Sequence, residues 1–169
     1  MARRVRNNPP DWMGELDPNK RYTCSEDPIT SMRDTSSELA LHFKPVGLWY
    51  GCGLSWIRWL EIEMPSWLED FRYVYEVVPD THDVLFLRTV ADVQEFDRHF
   101  GTNQYPGFGS THTDVVQWKD VGSYYAGIEI CPYQRSLRLG TIGWYSAWDV
   151  ASGCIWQPVG TQLRLVASI

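Results

Sequence analysis

The sequence predicts an α+β domain built on a mixed or antiparallel sheet, and three observations carry that expectation. Short apolar runs recur along the chain, bounded by Gly, Pro, Asp and Asn. Only a few stretches, starting near Ser55, Thr89 and Asp114, carry apolar residues at helical spacing. Strands and helices also fail to alternate as a doubly wound parallel fold requires. A chain of 169 residues fits one domain, because a core of this size already buries roughly two-thirds of the unfolded surface.

Residues 1–20 are rich in Pro, Asn and charge and are expected as a tail or lead-in, with the domain spanning 21–169. Arg21-Tyr22-Thr23-Cys24-Ser25 alternates as a strand and stops at Asp27-Pro28. Thr30 to Ser37 is polar and reads as a loop, and Leu39 to Phe43 is a short apolar run. Lys44-Pro45-Val46-Gly47 then punctuates the chain before a compact strand, Leu48-Trp49-Tyr50. Ser55 is the expected N-cap of a helix with Trp56, Trp59 and Leu60 on one face, ended by Pro65. Tyr73 to Val78 and Val84 to Leu87 read as neighbouring strands joined through the turn at Pro79-Asp80. Thr89-x-x-Asp92 resembles a capping box, with Asp in place of Glu, ahead of a helical stripe of Val93, Phe96 and Phe100. Gly101 to Gly109 is a Gly/Pro-rich loop suited to covering a cleft. Asp114 is the expected cap of a helix bearing Val115, Trp118 and Val121. Strands are expected at Ile128 to Ile130, around Cys154-Ile155-Trp156, and at Leu163 to Val166.

Composition narrows the function classes. The chain is 44% hydrophobic with nine Trp, nine Tyr and six Phe, a globular and aromatic-rich make-up that is neither disordered nor fibrous. A net charge of −6 argues against coating nucleic acid through an overall field, and Arg3, Arg4 and Arg6 are expected to form a solvated terminus. Cys24, Cys52, Cys131 and Cys154 contain no Cys-x-x-Cys pair and the histidines are scattered, so spacing predicts no metal site. No apolar run approaches the ~20 residues that span a bilayer. Arg3-Arg4-Val5-Arg6 leads into Asn7-Asn8-Pro9-Pro10 rather than a signal-peptide core. No membrane association, reduced thiols and a cytoplasmic setting are therefore expected.

The chemistry-bearing stretch is Trp144 to Trp156, where three tryptophans surround Asp149 and Ala151-Ser152-Gly153-Cys154 follows. An acid among aromatics loses hydration and needs a partner or a task. The plain reading is that Asp149 caps a turn or pairs with a cation while the tryptophans pack. Two further polar groups sit beside aromatics at expected strand ends, Arg21 and Tyr50. One cation, one aromatic platform and one acid suit a ligand carrying phosphates, a flat ring and a sugar, since arginine binds phosphate oxygens as a fork. The simpler alternatives are an arginine lying over Tyr22 and a tyrosine packed in the core.

In the order of these motifs the chain resembles the ADP-ribosyltransferase superfamily, particularly its short phage-type members. Arg21 to Ser25 resembles the family's first strand, and Lys44-Pro45-Val46-Gly47-Leu48-Trp49-Tyr50 the second, which frames the nicotinamide. Val84 to Thr89 with Asp92 and Phe96, then Trp118 to Ile130, resemble the elements that come next. Trp148-Asp149-Val150-Ala151-Ser152-Gly153 resembles the acidic start of a late strand. The resemblance implies split mixed or antiparallel sheets flanked by short helices, with a ligand cleft between them. It implies NAD as co-substrate and transfer to a protein, nucleic-acid or small-molecule acceptor, in a host cytoplasm if the chain is phage-encoded. It assigns catalysis to Asp149 and Tyr50, and NAD binding to Arg21, Thr23, Ser25, Lys44 and Trp49.

The sequence departs from the family in two ways. Asp149 stands where the family usually has Glu, and Trp49-Tyr50-Gly51 replaces a Ser-Thr-Ser run. Glu129 is a rival acid, expected at a strand end before Cys131-Pro132 and facing solvent. Two other readings remain open: a non-catalytic module that binds a nucleotide or a partner protein through the same aromatic cleft, such as a phage counter-defence protein, and an inactive member of the same fold.

Overall fold

Alternating and apolar runs form strands wherever the chain can bury one side of them, and the computed structural model describes residues 11–104 and 112–168. The arginine cluster at Arg3–Arg6 and positions 105–109 of the expected glycine-rich loop lie outside the described residues. The strands are β1 (Arg21–Ser25), β2 (Leu41–His42), β3 (Leu48–Cys52), β4 (Tyr73–Val78), β5 (Val84–Leu87), β6 (Gly101–Thr102), β7 (Val115–Gln117), β8 (Gly127–Ile130), β9 (Ser152–Ile155) and β10 (Gln162–Ser168). Among the described residues four α-helices accompany them, α1 (Ser55–Glu63), α2 (Pro65–Asp70), α3 (Val90–Phe100) and α4 (Trp118–Gly122).

Seven strands form one mixed sheet in the order β10-β4-β1-β3-β9-β8-β5, and β2-β7-β6 form a small antiparallel sheet. Only β5 and β8 pair in parallel within the large sheet. Helices α3 and α4 lie between them in sequence, as the long crossover of a parallel pair demands. The fold is therefore α+β. It departs from expectation at β4 and β5, which are not neighbours. Both edges of β4 are taken, one by β1 and the other by β10, so β5 is left to pair with β8.

Side chains alternate across a strand, so each has one residue set per face. On one face, Ile128, Ile130, Leu87 and Cys154 meet the tryptophan core, while Tyr22 and Val74 meet Ile57 of α1. On the other, Tyr50, Val77 and Ile155 cluster with Leu48 and Leu163. Trp118, Trp144, Trp148 and Trp156 are fully buried, with the Trp118 ring 6.2–6.4 Å from each of the other three. Three of the four indoles also find oxygen acceptors: Trp118 Nε1 donates to the His42 carbonyl at 2.9 Å, Trp144 Nε1 to Asp97 at 2.8 Å and Trp156 Nε1 to the Tyr125 carbonyl at 2.7 Å. Trp144→Ala is expected to lower stability by about 3–5 kcal/mol, the range for emptying a buried aromatic site. Chemical denaturation read by intrinsic fluorescence checks this, and an unchanged midpoint would contradict the packing account.

Local signals hold in some places and shift in others. The Thr89 capping box forms: its hydroxyl accepts from the Asp92 N–H at 3.1 Å, and the Asp92 carboxylate accepts from the Thr89 N–H at 2.8 Å. The Arg88 and Thr89 donors hold the Asp92 carboxyl below its ordinary range. A depressed acid contributes its stability above the ordinary carboxylate range and loses it as pH falls through the lowered value. Thr89→Ala should cost about 1 kcal/mol at neutral pH, read as a lower thermal midpoint.

Ser55 begins α1 but does not cap it; its hydroxyl donates to the Ala151 carbonyl at 2.6 Å. Gly53, at φ +56°, turns the chain from β3 into that helix. The buried face of α1 is Ile57 and Leu60, while Trp56 and Trp59 stack on each other with centroids 5.1 Å apart. Asp114 precedes a strand, and its carboxylate accepts from the Gln104 N–H at 2.7 Å. The lead-in also contributes to the core. Met13 and Leu16 are buried with Tyr22, Ile57 and Val74, so packing of the domain begins before the expected boundary at residue 21. No helix among the described residues is long and apolar enough to cross a membrane.

Candidate functional site

The strand register brings three sequence-distant side chains together on the Tyr50 face of the large sheet. Tyr50 on β3 stands opposite Gly153 on β9, which stands opposite Glu129 on β8. Tyr50, Gly153 and Glu129 thus form one row across three strands. Arg21 on β1 stands opposite Cys52, two residues beyond Tyr50 and therefore on the same face.

Glycine at position 153 makes the row possible. A Cβ there would collide with the Tyr50 ring and hydroxyl, coming within 2.8 Å of Cε2. The phenol consequently lies across β9 and donates to Glu129 Oε2 at 2.8 Å. Arg21 reaches the same carboxylate as a fork: Nη2 donates to Oε1 at 2.9 Å and Nε donates to Oε2. The strands of Arg21 and Glu129 are three spacings apart, about 14 Å. Both long side chains must lie flat over β3 and β9 to meet.

Burial sharpens the electrostatics. Glu129 is 5% exposed, and Tyr50 is buried, whereas the Arg21 side chain keeps 28% of its surface. Its hydrogen bond to Glu129 raises the Arg21 guanidinium above its already high value. Burial, then the neighbouring Glu129 charge, pushes the Tyr50 phenol well above its ordinary value. Tyr50 is thus a neutral hydrogen-bond donor at physiological pH. A buried carboxylate holding a cation and a phenol on one edge is an oriented negative charge on a sheet face.

Two thiols complete the cluster. Cys52 and Cys131 have their sulfurs within 4.8 Å of each other and of a Glu129 carboxylate oxygen. The hydrogen bond between the sulfurs raises the Cys52 thiol and lowers that of Cys131. By contrast, burial alone pushes Cys24 up to about 12.

The structure divides the residues singled out in the sequence between the two faces. Arg21, Thr23 and Ser25 alternate onto the face of Tyr50, with Thr23 buried and the Ser25 hydroxyl donating to the Asp27 carbonyl at 2.7 Å. Trp49 follows the opposite alternation and packs on Trp148 with centroids 5.0 Å apart. Lys44 Nζ lies 5.5 Å from the Trp49 ring centroid and 3.7 Å from Asp149 Oδ2. Arg138 Nη2 is 3.7 Å from Asp149 Oδ1. Asp149 therefore belongs with Lys44, Arg138 and Trp49, across the sheet from Arg21 and Tyr50. The physical reason is the period of two: adjacent residues such as Trp49 and Tyr50 cannot line the same face of a strand.

Arg21 and Tyr50 are expected to share a cleft with Asp149, but the acid they contact is Glu129. From the sequence, Glu129 is expected at a solvent-facing strand end. The missed signal is Gly127-Ile128-Glu129-Ile130, where alternation puts the acid on the face opposite two core isoleucines. Cys52 and Cys131 gave no spacing signal, because their approach depends on β9 running between the two strands that carry them. No protein-family model, curated protein or solved structure matches the chain.

Proposed function

We propose that the chain is an NAD-dependent mono-ADP-ribosyltransferase in which Glu129 is the acid, Tyr50 its positioning residue and Arg21 a phosphate ligand. The observation that carries this reading is a single buried carboxylate, Glu129, oriented by both a tyrosine and an arginine on one sheet face. The first-strand Arg and second-strand Tyr are those the family resemblance implies, and the acid again lies on a later strand.

The mechanism follows from charge development. Breaking the bond between nicotinamide and ribose makes the sugar cation-like and releases neutral nicotinamide. A carboxylate fixed against the sugar or its hydroxyls is most valuable in that state, when the positive charge is greatest. Glu129 supplies that charge. Tyr50, lying over Gly153, fixes its Oε2. Arg21 donates to Glu129 through Nε and Nη2, while a guanidinium carries five N–H donors. The remaining donors suit pyrophosphate oxygens.

The same geometry admits a second reading. Arg21 and Glu129 satisfy each other without a ligand, which favours a non-catalytic module binding a nucleotide or a protein. Incubation with NAD labelled in its adenylate portion, with and without cell extract, separates the two. The transferase reading predicts release of nicotinamide and transfer of label to an acceptor. NAD binding without release would favour the binding module, and neither binding nor release would overturn both uses of NAD.

A further inference from the structure

We infer that Cys52, Glu129 and Cys131 form a binding site for a thiophilic divalent cation of the Zn²⁺ class. The three side chains come from β3, β8 and the residue that follows β8, and their ligand atoms all lie within 4.8 Å of one another. Two sulfurs and one oxygen are a donor set suited to tetrahedral zinc, with Zn–S about 2.3 Å and Zn–O about 2.0–2.2 Å. Three protein ligands leave the fourth position to water, as in open zinc sites.

Topology separates this use of the thiols from a disulfide. Cys52 donates its N–H to the Ala151 carbonyl, and Cys131 also lies level with the start of β9, on its other side. Their backbones therefore stand about two strand spacings apart, roughly 9.5 Å. Disulfides require Cα atoms closer than ~7 Å. The side chains converge while the backbones do not, which suits an ion between the sulfurs.

Charge points the same way. On binding, each thiol releases its proton to solvent, giving two thiolates and one carboxylate beside the Arg21 guanidinium. The excess is two negative charges, which a divalent cation cancels. Arg21 and Tyr50, both donors to Glu129, become the outer partners that orient a ligating carboxylate. A bound cation would take up the Glu129 charge that the transferase reading uses, so the two are alternative states of one carboxylate, and metal binding is read in the absence of NAD.

The test uses the metal-free full chain, titrated with Zn²⁺ against a chromogenic chelator and with Co²⁺ in reducing buffer. One equivalent should bind, and Co²⁺ should develop intense tetrahedral bands with thiolate-to-cobalt charge transfer. Cys52→Ser and Cys131→Ser should each weaken binding by about 100-fold or more, above the 10–100-fold seen on losing an outer-shell partner. Cys24→Ser should bind as the parent does. Thermal midpoints within a few degrees of the parent verify that the serine variants are folded. Should one misfold, cadmium NMR of the parent reads the two sulfur ligands directly. No stoichiometric binding, octahedral cobalt spectra, or binding indifferent to both substitutions would overturn the site.

Discussion

Glu129→Gln is expected to reduce nicotinamide release from NAD by about 100-fold or more, the scale of losing one preorganised electrostatic contact. Glutamine keeps the length and planarity of the side chain and retains an oxygen to accept from Tyr50. It removes the negative charge and half of the fork that Arg21 engages. NAD affinity measured by calorimetry should change far less than turnover, because the charge matters most once the sugar becomes cation-like. Stability should fall by only about 1–2 kcal/mol. Losing a fully buried ion partner costs ~3–5 kcal/mol, but the Arg21 side chain retains 28% of its surface and can rehydrate. An equal loss of affinity and turnover would instead assign Glu129 to uniform binding.

Gly153→Val is expected to abolish the row that joins Tyr50 to Glu129. A side chain there must occupy the volume of the phenol, which lies directly over Gly153. Either the tyrosine leaves Glu129 or the strands separate. Overpacking of this kind costs about 1–3 kcal/mol, and displacing Tyr50 also leaves a buried carboxylate with one donor fewer. Turnover should fall by at least tenfold. Gly153→Val combined with Tyr50→Ala should recover stability relative to Gly153→Val alone, because the two residues compete for one volume. Additive losses would show that Gly153 acts through something other than Tyr50.

Much of the backbone was legible in the sequence because burial on one face imposes an alternation that residues reveal. β1, β4 and β5 span the expected residues, and the Thr89 cap forms as written. Long-range pairing was not legible. Nothing local to Tyr73–Val78 tells that β10, from the far end of the chain, takes one of its edges. The candidate site shows the same division. Arg21 and Tyr50 were marked by position beside aromatics, yet the acid they meet depends on β8 and β3 flanking β9.

The aromatic block around Asp149 is conspicuous in the sequence for its tryptophans, but Trp144, Trp148 and Trp156 are core. Asp149 pairs with Lys44 and Arg138 at its edge, and ion pairs this exposed contribute about 0–1 kcal/mol. Gly153, from the same block, matters to the site through its missing side chain.

The acid that meets Arg21 and Tyr50 is Glu129, on the face of the sheet away from Asp149. Nicotinamide release by Glu129→Gln and Asp149→Ala, measured side by side under saturating NAD, tests it most directly. The geometry predicts turnover within about threefold of the parent for Asp149→Ala, whose exposed ion pairs contribute little, and near-complete loss for Glu129→Gln. Retained activity in Glu129→Gln with loss in Asp149→Ala would contradict it and move the chemistry to the Trp49 face.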